Sequence, residues 1–362
     1  MLALSPPELV ELIVSLPPSR TPFIWGPPGI GKSALVREAA ELCGLPCVTL
    51  LGTQLAPEDL IGVPRLRALD AAGERFATEF CPPRAILRQE PFVLFIDELN
   101  SAVPDVQKAF YSLILDRRLG DYELPEGSRV VGAGNRIEDR ALVRPMATAL
   151  ANRMLHVALE PNADAWLAWA AGAGLHALVL AFVRARPERL CEPPPSDATP
   201  AYPTPRAWHM LSDALDSVGE DLWPAVAAGC VGDRAGAEFA ALARRARLAP
   251  SLDELAAGRA QVPDDPDLLY FLGAACLARL GSASPDDGRL VGRALAAVAL
   301  VSKEVAAWVV DTALRRSDER PARLAFVAHL RASGSPVLAD IVRLGRFVAD
   351  APSASALGAR AD

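Results

Sequence analysis

Short apolar runs and longer segments with apolar residues at helical spacing alternate through the first 160 residues. The runs predict five β-strands, at Thr21–Trp25, Pro46–Leu51, Pro91–Leu99, Ser128–Ala133 and Leu155–Leu159. The third run, PFVLFIDEL, is almost continuously apolar, which is typical of a strand buried on both faces of a parallel sheet. Because helical segments separate the strands, the pattern predicts an α/β domain with a parallel five-stranded sheet flanked by helices.

Helical spacing is clearest in four segments of this domain: Ser5–Leu16, Ala34–Cys43, Val103–Asp116 and Ala147–Met154. In the first of them, a serine followed by prolines signals a helix start, and a proline pair signals its end. Residues 52–89 have a mixed pattern in which apolar-polar alternations flank a polar turn. This segment predicts a short helix and a hairpin inserted between two elements of the sheet domain.

After Pro161 the strand pattern disappears, so the sheet domain is predicted to cover residues 1–161. Helical segments on both sides of a proline-rich connection, Cys191–Pro205, predict an all-α lid at 162–249. A turn-rich acidic stretch then opens a predicted C-terminal helical region at 250–350. Residues 351–362 are small and polar, which predicts a disordered tail.

Composition narrows the class of protein. The chain has 362 residues, of which 51% are hydrophobic and 22% charged, a globular balance. It has no apolar run of the roughly 18 residues that a membrane span needs and no basic secretory start, so we expect a cytoplasmic protein. Six scattered cysteines without a C-x-x-C pair favour reduced thiols over a metal site. The net charge of −7 argues against sequence-independent binding to nucleic acid, because such binding needs an excess of lysine and arginine.

The most specific motif is GPPGIGKS at Gly26–Ser33, which fits the phosphate-loop pattern G-x-x-x-x-G-K-[ST] at every fixed position. It lies between a predicted strand and a predicted helix, as the motif requires; the alternative is a chance turn before a helix. We therefore expect ATP and Mg²⁺ as cofactors, with Lys32 at the outer phosphates and the Ser33 hydroxyl on Mg²⁺. The expected nucleotide-binding residues of the loop are Gly26, Pro27, Pro28, Gly29, Ile30, Gly31, Lys32, Ser33 and Ala34.

Polar residues end two of the predicted strands. Asp97 and Glu98 close the PFVLFIDEL run, and ligands of open α/β sheets gather at such strand ends. Asp97 suits an Mg²⁺ partner, directly or through water, and Glu98 suits the base that polarises an attacking water. Asn135 follows the fourth strand and can hold that water against the terminal phosphate. The alternatives are a solvated strand end for the carboxylates and an ordinary Gly-Asn turn for Asn135.

With these motifs in place, the chain resembles AAA+ ATPases and, within them, the MoxR group of the helix-2-insert clade. The resemblance rests on GPPGIGKS, FVLFIDELNSA, VVGAGNR, ALANRM and YPTPRAW, together with TQLAPEDLIGVP and the hairpin pattern after it. It implies an AAA+ P-loop fold, a sensor role for Asn135, an arginine finger at Arg153 and a second sensor at Arg206. ATALAN replaces a proline-led acidic stretch of many relatives, so Arg136, Arg140 and Arg144 compete for the finger role. A solvated surface arginine is the alternative for Arg206.

The resemblance further implies an ATP-hydrolysing ring, usually a homo-hexamer, that remodels or matures a protein partner, often with a von Willebrand factor A domain protein. Two other functions stay open. A nucleic-acid-linked motor would have basic, aromatic pore loops, whereas the insert carries Glu58, Asp59 and Asp70 beside Arg65 and Arg67. A regulatory switch would bind ATP without turnover, which the intact Asp97-Glu98 pair and Asn135 disfavour.

Overall fold

The computed structural model describes residues 1, 3–70, 75–81, 84–120, 122–136, 146–194, 201–315 and 320–332. The chain divides into two compact units, Met1–Asn162 and Ala163–Asp362. The first unit contains every β-strand of the described residues, and the second contains only helices among its described elements.

The strands of the first unit form one large sheet and two small hairpins. In chain order they are β1 (Ala3–Leu4), β2 (Pro22–Trp25), β3 (Cys47–Leu51), β4 (Val63–Ala68), β5 (Phe76–Cys81), β6 (Val93–Asp97), β7 (Arg118–Leu119), β8 (Tyr122–Glu123), β9 (Arg129–Gly134) and β10 (Leu155–Leu159). The large sheet is parallel throughout, in the order β1-β10-β2-β9-β6-β3. All its carboxyl ends therefore meet at one edge, which places the residues after β2, β6 and β9 side by side.

The predicted parallel sheet flanked by helices is confirmed, with one strand more than predicted. The additional strand is β1, which pairs with the end of β10 through Ala3↔Ala158 and Leu4↔Leu159. Two residues are too few to produce an apolar pattern, so this edge strand leaves no signal in the sequence. The predicted insert is also present, as a short helix followed by the antiparallel hairpin β4–β5.

The helices of the first unit are α1 (Pro6–Ser15), α2 (Lys32–Leu42), α3 (Glu58–Ile61), α4 (Pro104–Asp116) and α5 (Thr148–Ala151). Single 3-10 turns occupy Gly52–Gln54 and Leu99–Ser101. The start of α1 is fixed by a capping box, in which Glu8 accepts hydrogen bonds from the backbone N–H and the hydroxyl of Ser5. These hydrogen bonds hold the Glu8 pKa below its usual range.

Buried apolar residues cover both faces of the sheet. Successive strand residues point to opposite faces, so Phe23, Leu94 and Ile96 join one cluster. Ile24 and Phe95 join the other. Helix α4 packs in the first cluster, whereas α1 and α2 pack in the second. Burial on both faces explains why the central strands read as continuous apolar runs rather than as alternating ones.

The second unit contains ten α-helices among its described residues, together with 3-10 turns at Pro187–Arg189 and Glu220–Leu222. They are α6 (Ala163–Ala173), α7 (Ala177–Ala185), α8 (Pro205–Leu215), α9 (Trp223–Val231), α10 (Asp233–Ala246), α11 (Leu252–Ala256), α12 (Pro266–Arg279), α13 (Pro285–Val301), α14 (Lys303–Arg315) and α15 (Pro321–Ala332). One buried apolar cluster runs through this unit from Trp166 to Leu330. The predicted division into a lid and a C-terminal region at residue 250 lies inside this unit and stays a prediction, and the predicted tail at 351–362 lies outside the described residues. None of the described helices is long and apolar enough to span a membrane.

Candidate active site

The loop from Gly26 to Gly31 joins β2 to α2 at the carboxyl edge of the sheet. Gly29 and Gly31 have φ angles of 76° and 107°, a backbone region that side chains with a Cβ rarely adopt. Open space surrounds the Cα of Gly31, so the backbone conformation and not crowding demands a glycine there. Because Gly31 caps α2, the helix begins at Lys32, two residues before the predicted start at Ala34. Its first-turn N–H groups and positive dipole end thus face the loop, an arrangement that binds anions.

Lys32 lies inside this loop and is only 7% exposed. Its Nζ donates to the carbonyl oxygens of Gly26 (2.6 Å) and Pro27 (3.1 Å), and to Oδ1 of Asn135 (2.8 Å). A buried ammonium is costly unless it is hydrogen-bonded, and these acceptors hold it in the loop. The structure thus joins Lys32 to Asn135, a residue 103 positions away in the chain.

Ser33 and Asp97 also meet at this edge. The Ser33 hydroxyl donates to Oδ2 of Asp97 over 2.9 Å, and Oδ1 of Asp97 accepts the backbone N–H of Glu98 over 3.0 Å. A hydroxyl and a carboxylate are the oxygen ligands that Mg²⁺ prefers when phosphates and waters complete its shell. The described residues contain no cluster of three or more His, Cys, Asp or Glu able to hold a metal by itself. The donor set therefore fits Mg²⁺ brought in with a nucleotide rather than a resident metal.

Glu98 occupies an unusual backbone conformation, with φ at 54°. Left-handed backbone at a residue with a Cβ stores strain and clusters at functional sites. The side chain is held by Thr53, whose hydroxyl donates to Oε2 of Glu98 over 2.7 Å. Gly52, just before it, approaches the Glu98 backbone so closely that a Cβ there would lie 3.1 Å from the Glu98 carbonyl oxygen. The structure thus presents the Glu98 carboxylate next to Asp97, at the same sheet edge as Lys32.

Thr53 was not among the residues that the sequence identified. A sequence signal for Thr53 did exist. Its hydroxyl comes just after the second predicted strand, now β3, and such a position lies at the carboxyl edge of a parallel sheet. The decisive fact is the register of the sheet, which pairs Leu51 with Asp97 and so brings the following residues, Thr53 and Glu98, together. Strand register was not predicted from the sequence.

Asn100, in the 3-10 turn after β6, links that turn to Asn135. Its Nδ2 donates to the Asn135 carbonyl oxygen over 3.0 Å, and the side chain is fully buried. Gly134 makes room for it, because a Cβ at Gly134 would lie 2.1 Å from Oδ1 of Asn100 and 2.8 Å from Cζ of Phe23. Asn100 and Gly134 therefore fit each other only while residue 134 has no side chain.

We expect Gly134→Ala to destabilise the sheet unit by about 1–3 kcal/mol, the usual cost of inserting a methyl group into a packed interior. Hydrogen exchange of the β2 and β9 amides across a urea series measures this loss without interference from the second unit. Gly172→Ala is the matched control, since a Cβ there meets nothing within 4 Å. Unchanged exchange in Gly134→Ala would contradict the close fit.

The predicted arginine finger, Arg153, lies at the other end of the sheet. It precedes β10, which is parallel to β2, so it stands near the amino ends of the strands. The five residues of β10 place it about 17 Å from the carboxyl edge at 3.3 Å per residue. Its guanidinium is exposed, donates to the Ala149 carbonyl oxygen over 2.6 Å and lies 5.5 Å from the ring centroid of Tyr111. Arg153 is not brought together with the phosphate loop of its own chain.

The other predicted arginines are placed differently. Arg206 is exposed in the first turn of α8, whose start is capped by Thr204 accepting the Ala207 N–H over 3.0 Å. It belongs to the second unit, and its role toward phosphate stays a prediction. Arg136 directly follows Asn135 at the carboxyl edge, whereas Arg140 and Arg144 lie outside the described residues.

A family model described as "AAA domain (dynein-related subfamily)" matches residues 22–158. These residues form an AAA domain. The match begins at the first residue of β2 and ends within β10, so the AAA domain covers the phosphate loop, Asp97, Glu98, Asn135 and Arg153. The match implies a nucleotide-binding domain at these residues and agrees with the broader part of the resemblance seen in the sequence.

The chain is also similar to individual proteins. It is 27% identical over 157 residues to a proteasome-activating nucleotidase of Methanoculleus marisnigri, a stretch that covers 40% of this chain and 34% of that protein. The chain thus spans about a third of this curated relative. Among solved structures, a RuvB mutant of Thermotoga maritima shows 20% identity and a TM-score of 0.37, covering 64% of this chain and 68% of that one. NtrX of Brucella abortus shows 16% identity and a TM-score of 0.36, covering 76% and 60%.

Proposed function

We propose that the AAA domain binds ATP with Mg²⁺ and hydrolyses its terminal phosphoanhydride. The observation that carries this proposal is the meeting of Lys32, Ser33, Asp97 and Asn135 through direct hydrogen bonds, with the Glu98 carboxylate beside them. These side chains come from three separate segments of the chain: the start of α2 after the loop that follows β2, the end of β6, and the residue after β9. A chance Gly-Pro turn would not gather them.

The phosphate loop would bind the triphosphate. Its backbone N–H groups and the start of α2 favour an anion. The Lys32 ammonium, whose three N–H groups donate to Gly26, Pro27 and Asn135, would turn some of them to the outer phosphate oxygens. Ser33 and Asp97 would hold Mg²⁺, which neutralises phosphate charge when it is bound. Asn135 lies within hydrogen-bond distance of Lys32 Nζ, so its amide would lie beside a terminal phosphate bound by that lysine.

Glu98 would act as the general base. Its carboxylate accepts a proton from a water molecule while the water oxygen forms a bond to the γ-phosphorus. The bond between the γ-phosphorus and the β-γ bridging oxygen breaks, and the products are ADP and inorganic phosphate. Thr53 holds Oε2 of this carboxylate and so restricts its direction. The strained backbone of Glu98 restricts it further.

We propose that the active form is a homo-oligomeric ring, in keeping with the hexamers that the MoxR resemblance implies. The position of Arg153 supports an assembly, because the guanidinium is exposed and lies about a strand length from its own loop. A guanidinium delivered by a neighbouring copy stabilises charge on the transferring phosphoryl group. Arg206 would contact phosphate as the second sensor.

For the partner of this ring we propose a protein, remodelled or matured with the help of a von Willebrand factor A domain protein. The insert hairpin β4–β5 supports a polypeptide ligand, because Val63, Leu66 and Phe76 are large, apolar and exposed on it. Its Arg67 is within 3.8 Å of Glu79 across the hairpin, so the charge of that arginine is partly compensated. These features favour a protein partner over the negatively charged backbone of a nucleic acid.

The experiment that tests the hydrolytic proposal is Glu98→Gln. Glutamine keeps the shape of the side chain but cannot take the proton of the water, so turnover should fall about 10²- to 10⁴-fold. Binding of ATP and Mg²⁺, measured by calorimetry, should stay within a few-fold of the parent. Glu123→Gln is the matched control, at an exposed glutamate of hairpin β7–β8 in the same unit. Turnover of Glu98→Gln within a few-fold of the parent would place the base elsewhere.

A further inference from the structure

Helix α5, the four-residue helix that ends two residues before Arg153, is held at both ends by polar side chains. At its start, the backbone N–H of Ala147 donates to Oε1 of Gln107 over 3.3 Å. At its end, the Ala151 carbonyl oxygen accepts a hydrogen bond from Nε2 of His156 over 2.8 Å. The short helix therefore has a defined position although it buries only Leu150.

Gln107 connects the start of α5 to the nucleotide edge. It lies on α4 and is only 3% exposed, and its Nε2 donates to the carbonyl oxygens of Asn100 (3.3 Å) and Ala102 (3.1 Å). Asn100 in turn donates to the Asn135 carbonyl oxygen, and Asn135 accepts from Lys32. Hydrogen bonds through the partly buried Asn135 and the buried Asn100 and Gln107 thus connect the lysine of the phosphate loop to the residue before α5.

His156 makes a second connection. Its Nδ1 accepts the indole N–H of Trp25 over 2.9 Å, and Trp25 directly precedes the phosphate loop. The two rings are stacked, with centroids 6.0 Å apart and planes 21° from parallel. Because an indole N–H only donates and a carbonyl only accepts, these partners select the neutral histidine tautomer with its proton on Nε2.

Both connections consist of groups with few alternative partners. A buried amide that loses a hydrogen bond pays its desolvation cost, so the hydrogen bonds of Gln107 and Asn100 favour one arrangement. Arg153 is attached to the same helix, because its guanidinium donates to the Ala149 carbonyl oxygen. The position of this guanidinium is thereby tied to the edge at which the same chain binds phosphate.

We propose that Gln107 and His156 are positioning residues that set Arg153, through α5, for the phosphate bound by a neighbouring copy. This inference rests on the proposed function, in which Arg153 acts between copies. Misplacing a catalytic group by about 1 Å can cost about 100-fold in rate. The defect of Gln107 or His156 variants should therefore appear at the neighbour's site and not at their own.

Mixed assemblies separate the two sites. The donor is a Lys32→Ala chain, which binds no nucleotide but places its Arg153 at the site of a neighbouring copy. The acceptor is an Arg153→Ala chain, which binds nucleotide but has no arginine finger. Only acceptor sites next to a donor can turn over ATP. Gln107→Met, which removes the amide with little change of volume, and His156→Phe are each placed first in the donor and then in the acceptor. Gln89→Met, at an exposed glutamine, is the matched control.

Either change in the donor should lower phosphate release about tenfold or more, whereas the same change in the acceptor should lower it less than about threefold. Ala147→Pro is a sharper variant, because it removes only the N–H that Gln107 accepts. The φ of −58° at Ala147 already suits proline. It also serves if Gln107→Met does not assemble, and it should show the same asymmetry.

The inference would be overturned by equal losses in donor and acceptor, because a purely structural role does not depend on which chain carries the change. It would also be overturned by a loss confined to the acceptor or by no loss in either chain. An inactive parent mixture of donor and acceptor, with co-assembly demonstrated, would instead overturn the finger role of Arg153 in the proposed function, and the inference with it. The two failures are thus distinguishable.

Discussion

Replacing Lys32 by alanine is expected to weaken ATP binding about 10²- to 10⁴-fold, beyond what calorimetry detects at ordinary protein concentrations. The lysine would make about two charge-assisted hydrogen bonds to phosphate oxygens, each worth about 1.5–3 kcal/mol. Lys32 is the buried cation of the loop, and its ammonium lies among the carbonyl oxygens of Gly26 and Pro27 and the amide of Asn135. Without the Lys32 ammonium, the negative charge of the outer phosphates is not compensated within the loop.

The change should leave the fold intact, because the sheet is held by apolar clusters on both faces. Circular dichroism and thermal unfolding check that condition. Lys108→Ala is the matched control, since Lys108 is an exposed lysine of the same unit that pairs with Asp105. Near-normal ATP affinity in a folded Lys32→Ala protein would overturn the assignment of Gly26–Ser33 as the phosphate loop.

Arg153→Ala is expected to lower ATP turnover by about 10³- to 10⁵-fold, the effect of removing an arginine finger in other nucleotide hydrolases. Binding of ATP should change little, because Arg153 lies near the amino ends of the strands and the phosphate loop lies at the opposite edge. Phosphate release and calorimetry measure the two effects separately.

The competing explanation is that Arg153 only stabilises its own surroundings. It lies over the Tyr111 ring, a contact worth about 0.5–1 kcal/mol at an exposed site, and it donates to the preceding helix. In that case Arg153→Ala would lower stability slightly and leave turnover unchanged. Mixing with Lys32→Ala chains decides the question, since activity should return only if the arginine acts between copies. If co-assembled mixtures stay inactive, Arg136, Arg140 and Arg144 become the candidates.

The sequence could predict the residues of the site that follow a strand directly. The carboxyl ends of parallel strands lie at one edge, so a phosphate loop after the first predicted strand, Asp97 at the end of the third and Asn135 after the fourth are predicted to lie at the same edge. The structure places them there, through the bonds from Lys32 to Asn135 and from Ser33 to Asp97. Their catalytic roles stay predictions.

Residues whose partners depend on packing could not be predicted. Thr53 meets Glu98 only because Leu51 pairs with Asp97, and neither composition nor spacing gives that register. Gln107 lies in a helical pattern where a polar residue normally indicates an exposed face, yet it is buried because α4 places it against the turn after β6. His156 reads as one residue of a strand, and its bond to Trp25 reaches across 131 residues of sequence.

The central claim is that this site hydrolyses ATP with Mg²⁺, and the most direct measurement is phosphate release by the unmodified protein at saturating ATP. Phosphate release with Mg²⁺ should stop when EDTA removes the metal, and a Glu98→Gln sample purified in parallel should show only the background rate. Equal phosphate release by the Glu98→Gln sample would contradict the claim. So would the absence of release by the unmodified protein when Mg²⁺ is present and ATP is bound.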